Sequence, residues 1–133
     1  MKATLNVLVT ADRLANATNA VLKPFDISKE QFNVLRILRG QKGKPAPLQL
    51  VSERMISKSS NATRLVEKLR QKGLVDRSQC AADRRQIDIV ITKGGLDLLN
   101  TVDPLLKASA ESTRNLDDAE SSRLNELLEK MRG

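Results

Sequence analysis

Between Ala62 and Thr92 the spacing of apolar residues changes period, and this limits the chain more than any other feature of the sequence. Ala62, Leu65, Val66 and Leu69 recur at helical spacing until Gly73 supplies a left-handed stop. Immediately afterwards Leu74 to Ser78 and Gln86 to Thr92 read as strands, the second alternating Ile87, Ile89 and Ile91 against Gln86, Asp88 and Val90. Cys80, Ala81, Ala82, Asp83 and Arg84 lie between them as a polar tip. A chain patterned in this way delivers one helix directly into a hairpin of two short strands.

The flanks are helical. Leu5, Leu8, Val9, Ala15 and Leu22 predict a first helix ended by Pro24, which cannot continue the hydrogen-bond ladder. Ser28 with Gln31 three residues on has capping-box spacing ahead of Phe32, Leu35, Ile37 and Leu38, and Gly40 and Gly43 end that second helix. Residues 41–47, with two Gly and two Pro, read as a loop. Leu48, Val51 and Met55 mark a short third helix, and Ser57 or Ser59 is the expected cap of the fourth. Beyond the hairpin, Leu96, Leu98, Leu99, Val102, Leu105 and Leu106 predict a long fifth helix that Pro104 should kink. Asp117 and Glu120 announce a sixth, in which Leu124, Leu127, Leu128 and Met131 are spaced as a buried stripe.

Composition removes most alternatives. Phe25 and Phe32 are the only aromatic residues, so Leu, Val, Ile and Ala must build the core of these 133 residues, which favours packed helices in one domain. Without histidine the chain lacks the commonest general base and metal ligand, and one cysteine, Cys80, excludes a disulfide framework or a multi-cysteine zinc site. No Gly-rich phosphate loop or paired carboxylates appear, so neither an enzyme nor a cofactor or metal protein is expected. With no run of 18 apolar residues and no signal-peptide core at its start, the expectation is a cytoplasmic protein without membrane contact.

The net charge of +7 is unevenly spread. Residues 54–93 carry ten basic and four acidic side chains, whereas residues 94–133 carry five and eight. A basic middle suits a polyanion, and an acidic C-terminal third suits other work.

Two short helices followed by a two-stranded hairpin with a charged tip is the order of a winged helix-turn-helix. The expected fold class is therefore mainly α with a small β-hairpin wing. Projected at about 100° per residue, the fourth helix buries Ala62, Leu65, Val66 and Leu69 and turns Ser60, Thr63, Arg64, Glu67 and Gln71 outward, with Asn61 and Lys68 flanking. Ser59, Ser60, Asn61, Thr63, Arg64 and Lys68 are thus candidate DNA-binding residues: short donors and acceptors for phosphates and base edges, a guanidinium able to grip guanine in the major groove, and an ammonium. At the hairpin tip Arg84 and Arg85 are placed to enter a narrow minor groove. A free Asp83 would repel phosphate, so it is expected to pair with Arg77 or Arg85 and hold the wing in shape.

At these residues the chain resembles the MarR (multiple antibiotic resistance regulator) family of bacterial transcription factors. Ser59-Ser60-Asn61-Ala62-Thr63-Arg64-Leu65-Val66-Glu67-Lys68-Leu69 is similar to the family's recognition helix. Lys72-Gly73-Leu74-Val75 resembles its exit into the wing, Asp83-Arg84-Arg85 its wing signature, and Ile91-Thr92 with Gly95 its approach to the fifth helix. The likeness is close over residues 48–100 and looser in the flanking helices. Two departures stand out: Ile56 occupies a turn where helix-turn-helix proteins often have Gly, and the cysteine lies near the wing instead of near the N-terminus, where some relatives sense oxidants. Cys80 is therefore expected to be incidental.

The resemblance implies terminal dimerisation helices over residues 1–27 and 96–133 and a DNA-binding part over 28–95. It also implies a homodimeric repressor on double-stranded, pseudo-palindromic operator DNA, with a candidate small-molecule effector in the cleft between the two parts. The rival reading is a winged-helix module that binds another protein, which would show no salt-dependent duplex binding.

Overall fold

The computed structural model describes residues 1–79, 82–113 and 115–133. Along the chain come α1 (Lys2–Leu22), a 3-10 turn (Lys23–Phe25), α2 (Lys29–Arg39), β1 (Ala46–Pro47), α3 (Leu48–Arg54) and α4 (Ala62–Gln71). The strands β2 (Val75–Gln79) and β3 (Ile87–Ile91) follow, then α5 (Lys93–Thr113) and α6 (Asp118–Arg132). The fold is thus mostly helical with a small antiparallel sheet. Cys80 and Ala81, both assigned to the hairpin tip, lie outside the described residues.

Both capping boxes form. The Gln31 N–H donates to Ser28 Oγ at 3.1 Å while Gln31 Oε1 accepts the Ser28 N–H at 3.0 Å, and Asp117 and Glu120 repeat the exchange at the start of α6. These exchanges satisfy amide groups that a helix start leaves without intrahelical partners.

The sheet has the order β1-β3-β2, with Arg77 opposite Ile89 and Val75 opposite Ile91. Residues 41–47 read as loop throughout in the sequence, but Ala46 and Pro47 pair with Ile89 and Asp88 as a third, edge strand. Two residues, one of them Pro, carry no alternation to read. A proline is tolerated there because an edge strand need not donate from both sides. The expected alternation of β3 holds through Ile89 and Ile91, which are buried, while Ile87 stands nearer the wing tip and is exposed.

Val34, Leu35 and Leu38 from α2, Val51 from α3, Val66 and Leu69 from α4, and Val75 and Ile89 from the sheet form one apolar core. Leu22, Leu99 and Val102, from α1 and α5, close it from behind. The junction between sheet and α5 is tight. Thr92 Oγ1 donates to the Gly73 carbonyl at 2.7 Å and accepts the Gly95 N–H at 3.1 Å. Gly73 has φ +73°, and a Cβ on Gly95 would lie 2.4 Å from the Leu74 carbonyl oxygen. Glycine is required at both positions, at the first for conformation and at the second for space.

The outer helices are different. α5 runs through Pro104 without ending, although proline removes one helical donor. An ion pair between Arg39 and Asp103 ties α2 to α5. The predicted stripe of α6 is not buried within the protomer: Leu124, Leu127 and Met131 are 42, 46 and 52% exposed, and α6 contributes no residue to the core. Leu5, Leu8, Val9 and Leu14 on α1 are likewise exposed.

Candidate nucleic-acid interface

The start of α4 determines how its outward side chains stand. Neither Ser57 nor Ser59 caps the helix. Asn61 does, its Oδ1 accepting the Arg64 N–H at 3.1 Å, while the two serine hydroxyls lie 3.1 Å from each other. Asn61 wins because it immediately precedes the first helical residue in an extended conformation, where a short acceptor can turn back onto the third helical amide. The turn from α3 to α4 is fixed from α2, whose Asn33 Oδ1 accepts the Ile56 N–H at 2.9 Å. Ile56 is not among the positive-φ residues, so this turn does not need the glycine often found there.

Thr63, Arg64 and Lys68 are exposed along α4, with Ser59 and Asn61 exposed just before it and Ser60 half-buried. Ala62, Val66 and Leu69 face the core, and Leu65 packs against its edge. Glu67, the one carboxylate on the helix, is engaged: Arg70 donates to it at 2.6 and 3.1 Å, and Arg77 of β2 stands 3.6 Å away. The hydrogen bond from Arg70 holds the Glu67 carboxyl below its ordinary pKa, against some desolvation and with help from the charges of Arg70 and Arg77. The same hydrogen bond raises the Arg70 pKa. The helix spacing of Glu67 and Arg70 made their contact legible in the sequence; the reach of Arg77 across to α4 was not.

The expected link from Asp83 to an arginine side chain is replaced by a backbone contact. Asp83 Oδ1 accepts the Arg85 N–H at 2.9 Å, and the Asp83 carbonyl accepts the Gln86 N–H at 3.0 Å, so this residue shapes the turn as an Asx motif. Arg77 turns to Glu67, and through that contact β2 is braced against α4. Arg84 and Arg85 are both exposed at the wing.

Helix α3, the braced turn, α4 and the β2–β3 hairpin define a winged helix-turn-helix. Residues 27–87 match the MarR family. Over 89 residues the chain is 34% identical to the transcriptional regulator PecS of Dickeya dadantii, an alignment covering 65% of this chain and 52% of PecS. It superposes on Bordetella bronchiseptica BpsR, whose DNA binding is regulated by 6-hydroxynicotinic acid, with a TM-score of 0.85, 24% identity, and coverage of 97% of this chain and 91% of BpsR. A MarR variant from E. coli, complexed with operator DNA, gives a TM-score of 0.85 at 24% identity over 98% of this chain and 94% of its own. The chain spans about half to two thirds of the length of the curated relatives it matches. No helix among the described residues is long and apolar enough to cross a membrane.

Proposed function

We propose that the protein is a homodimeric transcription repressor that binds a pseudo-palindromic DNA operator through α4 and the wing. The observation that carries this reading is the outward face of α4, where Thr63, Arg64 and Lys68 stand exposed and the helix's only carboxylate is held by two arginines. Arg64 has the planar donor fork that matches guanine in the major groove. Ser59, Ser60, Asn61 and Lys68 supply phosphate or base-edge contacts, and Arg84 and Arg85 reach the flanking minor groove. Asp83 and Arg77 act indirectly, one by shaping the wing turn and the other by bracing it on α4. Occupying an operator excludes other proteins from it, which is the basis of repression.

Dimerisation is supported by the exposed leucines of α1 and α6, a larger apolar surface than the protomer covers. In this reading residues 1–27 and 96–133 join the copies and residues 28–95 hold the DNA-binding part. A two-fold protein places two copies of α4 in major grooves about one helical turn apart. A small-molecule effector belongs to the same reading, by analogy with the Bordetella protein.

Selection of bound duplexes from a random pool tests the proposal. The expected result is an enriched pseudo-palindrome bound with a steep dependence on salt. Recovery of no preferred sequence, with equal retention of all duplexes, would overturn it.

A further inference from the structure

Two adjoining recesses separate the N-terminal end of α2 from α4, with volumes of about 680 and 430 Å³, and they share Ser28, Gln31 and Lys68. Gln31 is only 6% exposed. Its Oε1 is committed to the Ser28 N–H and also faces Lys72 Nζ at 3.4 Å. That commitment fixes which way the amide points, because only the oxygen can accept the capping hydrogen bond. Gln31 Nε2 makes no hydrogen bond among the described residues, and it is not sealed from the surface either. A buried amide therefore presents an unused donor where the two recesses meet.

The surroundings suit an anion. Lys23 and Lys72 line one recess and Arg64 the other, while Lys68 stands between them. The two carboxylates on the rim are each met by a lysine, Asp26 by Lys72 at 3.7 Å and Glu30 by Lys29 at 3.9 Å. The positive end of the α2 dipole points the same way. Both recesses are wide and open, and one of them is continuous with Asn61 and Arg64 at the start of α4. Such a shape fits a strand running past the protein better than a small enclosed molecule.

We propose that this region is a seat for the phosphodiester backbone of duplex DNA, in which Gln31 Nε2 and Lys68 hold a phosphate beside the groove occupied by α4 and Lys23 supports its neighbour. The seat rests on the DNA-binding reading above and extends the contact surface to α2 and the α1–α2 turn. It positions the strand and carries no sequence information.

Gln31→Glu tests the seat without dismantling the helix cap, since glutamate serves equally well at the third position of a capping box. The variant, alone and with Lys23→Gln, would be compared with the parent on the selected operator and on a scrambled duplex across a salt series. Unchanged melting temperature would establish that the fold is intact. The expected result is weaker binding to both duplexes, by roughly tenfold for the pair, with a salt slope shallower by about one for each phosphate no longer neutralised. Single methylphosphonate linkages, which remove one phosphate charge, should weaken the parent at one symmetric position and leave Gln31→Glu indifferent there.

Parent-like affinity and slope in a folded Gln31→Glu protein would overturn the seat while leaving the DNA-binding reading intact. Failure of the parent to bind any duplex would overturn both. Inorganic phosphate, added at constant ionic strength, separates the other source of the same chemistry. A phosphate-dependent rise in melting temperature that disappears in Gln31→Glu, with duplex affinity unchanged, would identify a free-anion site and overturn the seat.

Discussion

The winged helix-turn-helix and the outer helices solve the problem of burying leucine in opposite ways. From α2 to β3 the apolar residues converge on one another: Val34, Leu35, Leu38, Val51, Leu69 and Ile89 are all sealed, with Leu22, Leu99 and Val102 closing the back. In α6 the same residue type, at equally regular spacing, leaves Leu124, Leu127 and Met131 open, and α1 does likewise with Leu5, Leu8 and Leu14. An amphipathic pattern therefore states that a face will be covered without stating by what. In the first region the cover comes from the same chain, and in the second a second copy is the proposed source.

This contrast should survive mutation in a graded way. The largest effect is expected from Leu38→Ala, which removes side-chain atoms from a fully buried core position and should cost about 2–5 kcal/mol. Urea unfolding would show it as a lower midpoint with an unchanged slope, and a change below about 1 kcal/mol would mean the core is looser than described. Leu127→Asp should instead act on association, because a charge placed in a proposed apolar interface meets no partner. Sedimentation at micromolar concentration should find the parent dimeric and the variant shifted towards monomer. If both variants changed stability alike and neither changed mass, the two regions would not differ as argued.

The smallest effect concerns Glu67. Its folded pKa is depressed by Arg70 and Arg77, so its contribution to stability is present above the ordinary carboxylate value and lost as pH falls through the folded one. Glu67→Gln should therefore lower the melting temperature slightly near neutral pH and not in acid. Melting curves over that range check the sign, and a difference that grew in acid would refute it.

Much of the architecture was legible because it is local. The Ser28–Gln31 and Asp117–Glu120 boxes depend on residues three apart, and the change from helical to strand period around Gly73 depends on a handful of neighbours. What escaped involved competition or distance. Four residues able to cap α4 lie within Ser57 to Asn61, and only the conformation of the chain entering the helix selects Asn61. The partner of Arg77 depends on strand register, which sets β2 beside Glu67 rather than sending the guanidinium to Asp83. Gln31 was readable as a capping residue, but its approach to Lys72 joins positions 41 residues apart, as Arg39 and Asp103 join positions 64 apart. The side chains of the candidate site were named from one helix wheel and one turn, whereas the bracing beneath them required the folded chain.

The central claim is that α4 reads bases while the wing grips the backbone and the narrow groove. Its most direct test is the affinity of Arg64→Ala and of the Arg84→Ala/Arg85→Ala pair on the selected operator and on a scrambled duplex, each across a salt series. For Arg64→Ala the account predicts a loss of about 1–3 kcal/mol per half-site on the operator and relaxed preference at one symmetric position. The wing pair should weaken both duplexes and flatten the salt slope. Parent-like affinity for the operator in the folded Arg64→Ala protein, with its sequence preference intact, would contradict the claim.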